Sequence, residues 1–370
     1  MTAPVVVLGA TGYTGRLIAA HLADAGVPLV LAGRRESALA ELGAALGVQA
    51  LRVVDVTSPT DLDAALAGAG AVVTSVGPFL ALGLPVAEAA VRAGVHYVDT
   101  TAEQAFIDRL YGRLHGAAAD AGVALLTGHA ADFAFAYCGA AILEARFGPL
   151  ERVDTFHDLG DFRPSRGTAR SMVGMLSEPT FAWRDAARAP VAGRWTPWRV
   201  ALPGYDAPVW TAPFAGGDVA LLPRELPGLT TCTSSLVLPP RGARGVAAAV
   251  AATPALSGLF RPGLVDRLQR LIDRRLPDPT PEVRAATPWV VTVRGERGGR
   301  AWCCRMTGSS TYGDSAHVAA LAATWLARGE GRAAGVVTTG RAFDAAAFLD
   351  ALGPYGIRWS VLDQPSRSST

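Results

Sequence analysis

Short apolar runs rich in β-branched residues alternate with amphipathic stretches through the first third of the chain. Val5–Leu8 is such a run, and Leu17–Ala25 follows it with Leu17, Ile18 and Leu22 on one helical face. The alternation predicts further strands at Leu29–Ala32, Leu51–Val54, Ala71–Val76, His96–Val98 and Val123–Leu126. Helices are predicted between them at Ser37–Leu46, Pro59–Leu66, Pro85–Ala93 and Glu103–Ala121. Ser58 is placed as an N-cap ahead of Pro59 at the first helical position. Parallel strands joined through helices need right-handed crossovers, so this part reads as an α/β fold with a doubly wound parallel sheet.

The pattern changes after about Asp132. Phe133–Phe147 reads as a connecting helix, Arg152–Leu159 as a strand and Thr168–Leu176 as a helix. Residues 178–230 are rich in Pro, Gly and Trp, which suits irregular or short antiparallel structure. Later strands are expected at Thr230–Leu238, Trp289–Arg294 and Ala301–Thr307, and an amphipathic helix at Pro254–Leu276. Gly313–Ala327 is a last long helix, and Gly335–Val361 gives a turn, a helix and a short strand. Three parts are therefore expected. Residues 1–132 form a nucleotide-type domain, and residues 133–312 an inserted α+β domain for substrate and for pairing of two copies. Residues 313–362 are a segment returning to the first domain.

The length of 370 residues suits about two domains. The net charge of +2 offers no basic excess for phosphate backbones, so a nucleic-acid partner is not expected. All 34 basic residues are arginine, and the chain lacks both lysine and asparagine. That excludes a lysine Schiff base, a Walker loop ending in lysine, a Tyr–Lys proton relay and N-glycosylation. Cys138, Cys232, Cys303 and Cys304 form no C-x-x-C pair, so neither a metal framework nor a secreted disulfide framework is expected. The chain enters its first strand without a basic leader, and no apolar stretch reaches the roughly 20 residues of a membrane span. A reducing cytoplasm and no integral membrane segment are the expectation.

Gly9-Ala10-Thr11-Gly12-Tyr13-Thr14-Gly15 joins the first strand to the first helix. Gly9 permits the tight turn, Gly12 lets backbone approach a pyrophosphate, and Gly15 allows close packing of helix on sheet. The helix N-terminus then offers N–H groups and a positive dipole end to phosphates. After the second strand stand Arg34 and Arg35, where NAD-binding folds place an acid for the ribose hydroxyls. Two guanidiniums there suit a 2′-phosphate and point to NADP(H), with a solvated basic turn as the plain alternative for Arg35. Asp55 and Val56 follow the third strand, beside the adenine or as a turn. Ser75, Val76, Gly77, Pro78 and Phe79 end the fourth strand, under the nicotinamide ribose or as a strand-ending turn.

Candidate chemistry lies at the carboxyl edge of the later strands, where doubly wound folds bind ligands. Tyr97 and Asp99 end the fifth strand and His129 follows the sixth. His129 has the ordinary pKa of a proton donor near neutrality, although a packed structural histidine is the commoner outcome. Asp132 is read as a helix cap. Ser165–Ser171 opens a helix with hydroxyls, N–H groups and arginines together. Arg166, Thr168 and Ser171 there suit a carboxylate, phosphate or thioester oxygen, or simply an ordinary capped helix. The carboxyl ends of strands four to six are expected to face this helix across a cleft.

Together these residues resemble the saccharopine dehydrogenase-like family, which includes the trans-acting enoyl reductases. The G-A-T-G-Y-T-G-R loop, the A-G-R after the second strand, V-G-P-F and H-Y-V-D are similar to its pattern in order and spacing. Ser165–Ser171, Tyr312–Ala316 and Gly335–Thr338 are similar to later family segments. The chain departs from the family at His129–Phe133, where only the aspartate Asp132 is kept, and at Thr100–Glu103. Saccharopine dehydrogenases are similar in placing a lysine among their proton-transfer groups, and this chain has none. The resemblance implies a Rossmann domain carrying NADP(H), an inserted α+β domain and a reductase acting on a small-molecule or carrier-bound substrate. An enoyl thioester C=C is the first expectation, imine or ketone reduction the second. An NADP(H)-binding redox sensor that does no chemistry is the reading of another class.

Overall fold

The computed structural model describes residues 3–175, 178, 180–190, 197–238 and 262–364. The chain divides into two compact units. The first comprises Met1–Ala102, Phe106–Ala134 and Tyr312–Phe343; the second comprises Glu103–Ala105, Phe135–Thr311 and Asp344–Thr370.

In the first unit the strands are β1 (Val5–Leu8), β2 (Leu29–Gly33), β3 (Leu51–Val53), β4 (Ala71–Thr74), β5 (His96–Asp99) and β6 (Ala124–Leu126). Among the described residues the second unit contributes β7 (Arg152–Asp158), β8 (Phe181–Arg184), β9 (Ala187–Pro190), β10 (Trp198–Val200), β11 (Val209–Pro213), β12 (Thr231–Val237), β13 (Trp289–Arg297) and β14 (Arg300–Gly308). The chain then returns to the first unit with β15 (Gly335–Val336) and ends in the second with β16 (Arg358–Gln364).

The first sheet runs β3-β2-β1-β4-β5-β6-β15, and every pairing in it is parallel. β1 and β4 are buried along their whole length, as strands covered on both faces must be, and their apolar side chains form the core. Chain order reverses between β1 and β4, so the ligand-binding switch point of a doubly wound sheet lies between Gly9 and Ser75. Ser58 caps helix Pro59–Leu66 by accepting from the Asp61 N–H at 3.2 Å, with Pro59 at its first turn. The fourth helix opens at Phe79 rather than Pro85. Pro78 is its N-cap and takes the N–H of Leu82 on its carbonyl at 3.0 Å, and Pro85 is carried within the helix.

Helix Thr311–Ala327 belongs to this unit from Tyr312 onward. It buries Ala316, Val318, Ala319, Ala322, Ala323 and Leu326, while Leu321 and Trp325 are half-buried. Gly70 lies against Ala327, 3.0 Å from a Cβ built on the glycine to the Ala327 Cα. The expectation that 313–362 returns as one piece is corrected. Residues from Asp344 onward join the second unit, because β16 extends the second sheet through a seven-residue antiparallel register with β14.

The second sheet runs β10-β11-β12-β7-β13-β14-β16, with the β8–β9 hairpin attached to β12. Among the described strands of this second sheet only the β7–β12 pair is parallel. Helix Phe133–Phe147 packs on this sheet through aromatic stacking, Phe135 on Trp289 at 4.4 Å and Phe147 on Trp302 at 4.2 Å. Gly139 permits the approach, since a Cβ there would meet Val293 at 2.8 Å. Gln104 belongs here too: it donates to the Phe181 and Gly216 carbonyls and accepts from the Phe181 N–H, each at 3.0 Å. The region read as irregular holds β8 to β11 and helix Gly217–Glu225; Trp195 lies outside the described residues, as does the start of the helix expected at Pro254.

Candidate active site

Gly9 adopts φ +80°, a left-handed conformation that glycine enters without penalty, and a Cβ there would stand 2.8 Å from Val76 Cγ2. A Cβ on Gly15 would overlap the Gly9 carbonyl oxygen. The Gly12 N–H closes the turn on the Gly9 carbonyl at 2.9 Å. Helix Tyr13–Asp24 starts from Gly12 with no side-chain cap and no acid in its first turn. Its positive end is therefore left for an anion. The half-buried Tyr13 sets its ring edge-on to Tyr312 at 5.0 Å, and its buried hydroxyl has no hydrogen-bond partner. Thr11 and Thr14 are half-buried in the same loop, and Arg16 Nε holds the Thr11 carbonyl at 3.2 Å.

Arg34 and Arg35 are exposed at the end of β2. Asp55 is fully exposed and sits in a turn, where its Oδ1 accepts from the Thr57 N–H at 2.9 Å and the Thr57 hydroxyl at 2.7 Å. Those two donors hold its carboxyl below the usual range, and the Arg34 charge adds to them. Val56 beside it is buried. Ser75, Val76, Gly77 and Pro78 are half-buried, joined by a cis Gly77–Pro78 bond, and Phe79 is buried against Phe106. A glycine cradle that any Cβ would fill, an uncapped helix end and two exposed guanidiniums at the end of the neighbouring β2 fit a dinucleotide carrying an extra phosphate.

Tyr97, Asp99 and His129 all turn into the interior of the first unit, each with 0% exposure. Asp99 Oδ1 accepts from the N–H groups of Thr101 and Gly128, both at 3.0 Å, and so ties the ends of β5 and β6 together. The Tyr97 and Thr127 hydroxyls lie beside this carboxyl outside good hydrogen-bond geometry, leaving Oδ2 without a well-formed partner. Burial raises the Asp99 pKa to about 6, against the pull of the two N–H groups. Burial and then the Asp99 charge raise the Tyr97 phenol well above its ordinary value. His129 places Nδ1 3.1 Å from Thr339 Oγ1, and burial lowers its pKa to about 3.

These surroundings disagree with the expectation of proton donors turned toward substrate. Burial keeps the His129 imidazole neutral near pH 7 and the Tyr97 phenol less acidic than usual, and both are covered by the first unit. Thr339 as the partner of His129 and Tyr312 as that of Tyr13 have no counterpart in the sequence reading. The motifs carrying them lie more than 200 residues downstream, and nothing in the local pattern joins them to β6 or to the glycine loop.

In the second unit Arg166, Thr168 and Ser171 open helix Arg166–Met175. Ser165 Oγ accepts from the Thr168 N–H at 3.2 Å and bonds the Thr168 hydroxyl at 3.1 Å. Arg166 is held by Asp278 at 2.8 Å, and the Ser171 hydroxyl donates to Glu103 Oε1 at 2.7 Å. These are the contacts of a capped helix. A buried cluster of Thr155, His157 and Asp218 was not foreseen. His157 Nε2 lies 3.1 Å from Asp218 Oδ2, which also accepts from the Thr155 hydroxyl. Alternate polar positions along β7 were its sequence signal. The four cysteines are free and buried; burial raises Cys303 and Cys304 to about 12. Among the described residues no His, Cys, Asp and Glu grouping could hold a metal ion, and no helix is long and apolar enough to cross a membrane.

Residues 5–126 match the family model of the saccharopine dehydrogenase NADP binding domain, which supports NADP(H) as the cofactor. A trans-acting enoyl reductase of Mycobacterium tuberculosis is 38% identical over 128 residues, 33% of this chain and 31% of that protein. The trans-acting enoyl reductase of Mycobacterium leprae is 37% identical over a stretch of the same length. The chain thus spans about a third of the length of the curated relatives it matches. The apo saccharopine dehydrogenase (L-Glu forming) of Saccharomyces cerevisiae superposes with a TM-score of 0.62 at 13% identity, over 98% of this chain and 100% of that one, which shows a shared fold. Residues 5–126 are thus similar to the saccharopine dehydrogenase NADP binding domain, and the chain, with its parallel sheet and second mixed sheet, shares the fold of the yeast saccharopine dehydrogenase.

Proposed function

We propose that the protein is an NADPH-dependent reductase that delivers hydride to an activated double bond, first of all the C=C of an enoyl thioester. The observation that carries this reading is the anion-ready glycine loop at the end of β1, with two exposed arginines at the end of the neighbouring strand β2. Its likeness to trans-acting enoyl reductases in the same segment supports the substrate class. Bound NADPH would supply the hydride. Gly9, Gly12 and Gly15 would give its pyrophosphate room, the N–H groups at Tyr13 and Thr14 would be offered to it, and Arg34 and Arg35 would hold the 2′-phosphate. Ser75–Phe79 form the wall beside the nicotinamide ribose.

Because Tyr97, Asp99 and His129 are enclosed, water supplies the proton, and Asp99 keeps the β5 and β6 ends in place without touching the reacting atoms. The test is NADPH oxidation with a short enoyl thioester beside a cyclic imine and a ketone. Turnover of the thioester that survives His129→Gln supports the reading, and turnover of the imine or ketone alone would replace the substrate class. The same enclosure favours a second reading, an NADP(H)-binding sensor, since a sensor needs no proton donor. Tight NADPH binding with no oxidation of any acceptor would select it.

A further inference from the structure

Helix 262–275 of the second unit carries two faces of different chemistry. Val265 is buried, and Leu268 and Ile272 are half-buried, with Gln269 donating to the Arg170 carbonyl of helix Arg166–Met175 at 3.1 Å. This face packs the helix onto its neighbour. About a quarter-turn round the helix from this face, Leu264 and Leu271 are 39% and 49% accessible. At about 100° per residue the two leucines lie within roughly 20° of each other and about 10 Å apart along the axis.

Arg267, Arg274 and Arg270 follow on one flank of the leucines and Arg275 on the other, all exposed. The sector of roughly 140° that they span contains no acid. Asp266 and Asp273 lie roughly 150–170° from the leucines, on the other side of the helix. Asp273 is already met by Arg170 at 3.5 Å, and Asp278 beyond the helix end by Arg166 at 2.8 Å. The acids thus stand on the flank away from the leucines, and the sector around the two leucines keeps four arginines.

We infer that helix 262–275 is an interfacial helix that seats this unit on an anionic lipid surface. An acidic protein partner would be served by the arginines alone. Apolar carbon and guanidiniums at one depth on a convex helix suit a bilayer interface, where acyl chains and anionic headgroups meet. The long arginine stems can reach the headgroups while the leucines enter the acyl boundary.

The test is co-flotation of the full chain with phosphatidylcholine vesicles with and without phosphatidylglycerol. Binding is expected only with the anionic lipid and should weaken as salt rises. Replacing Arg267 and Arg274 by glutamine should lower partitioning roughly 25-fold, near the loss for two basic residues at a charged surface. Leu264→Ser with Leu271→Ser should lower it roughly tenfold. The arginine pair should leave the melting temperature unchanged because its side chains are exposed, and neither pair should alter NADPH affinity. No flotation with anionic vesicles, or flotation that survives both double substitutions, would overturn the proposal. Binding that needs the arginines but not the leucines, with equal capture on polyglutamate, would overturn it in favour of an acidic protein partner.

Discussion

Gly15 and Gly9 are locked together: a Cβ on Gly15 would overlap the Gly9 carbonyl oxygen and stand 2.9 Å from its carbonyl carbon. Both partners are backbone, so neither can swing aside. Gly15→Ala must push the first helix away from the loop, and is expected to cost about 1–3 kcal/mol of stability. It should weaken NADPH binding by tenfold or more, since the N–H groups at the helix start lose their aim. Gly12→Ala meets the same oxygen at 3.2 Å and should be milder in stability. Thermal melts and fluorescence titration of NADPH check both, and an unchanged affinity for Gly15→Ala would refute the cradle.

The cofactor preference rests on Arg34. A charge-assisted contact to a 2′-phosphate is worth about 1.5–3 kcal/mol. NADPH should therefore bind at least tenfold tighter than NADH, and Arg34→Ala should remove most of that gap without changing NADH affinity. Equal affinities for the two nucleotides in the unmutated protein would end the assignment.

The parallel sheet and the glycine loop were legible because their signals are local. Val5–Leu8 is a buried run followed at once by the glycine turn, and Ser58-Pro59 marks a helix start by its own chemistry. The surroundings of Asp99 and His129 were not legible. Whether a polar side chain at a strand end looks outward or inward depends on which distant residue covers it, here Thr339 for His129. The parting at Asp344 was hidden for the same reason. A seven-residue strand such as Arg358–Gln364 shows its period but not its partner, and β14 lies some 50 residues earlier.

The helix start at Arg166 offers a prediction of small effect. Its guanidinium is half-exposed in the pair with Asp278, and such pairs contribute about 0–1 kcal/mol. Arg166→Ala should shift stability by no more than that, and kcat/KM should change less than about threefold if the side chain serves only to cap and pair. A loss of turnover above tenfold with an unchanged melting temperature would return Arg166 to the substrate.

Asp99 and His129 are joined directly, the His129 N–H donating to the Asp99 carbonyl at 2.6 Å, yet burial moves their side chains in opposite directions. Asp99 titrates at about 6 in the fold against an ordinary 3.8, so the folded chain holds its proton more tightly than the unfolded chain. Its contribution to stability therefore falls as pH rises from about 4 to about 6. His129 titrates at about 3 against an ordinary 6.5, so the unfolded chain takes up the proton first. Its contribution is present above about pH 6.5 and is lost as pH falls toward about 3. Between about pH 4 and 6 the two slopes oppose, each amounting to on the order of 3 kcal/mol over that interval. Asp99→Asn keeps a carbonyl oxygen for the Thr101 and Gly128 N–H groups and removes the titration. Relative to the parent, it should lose stability as pH falls through this range. His129→Gln should do the reverse and gain stability as pH falls from about 6 to about 4. Urea unfolding of the three proteins at about pH 4, 5, 6 and 7 reads the slopes. Slopes of one sign in both variants, or none that differ from the parent, would show that these two groups are not enclosed as the fold places them.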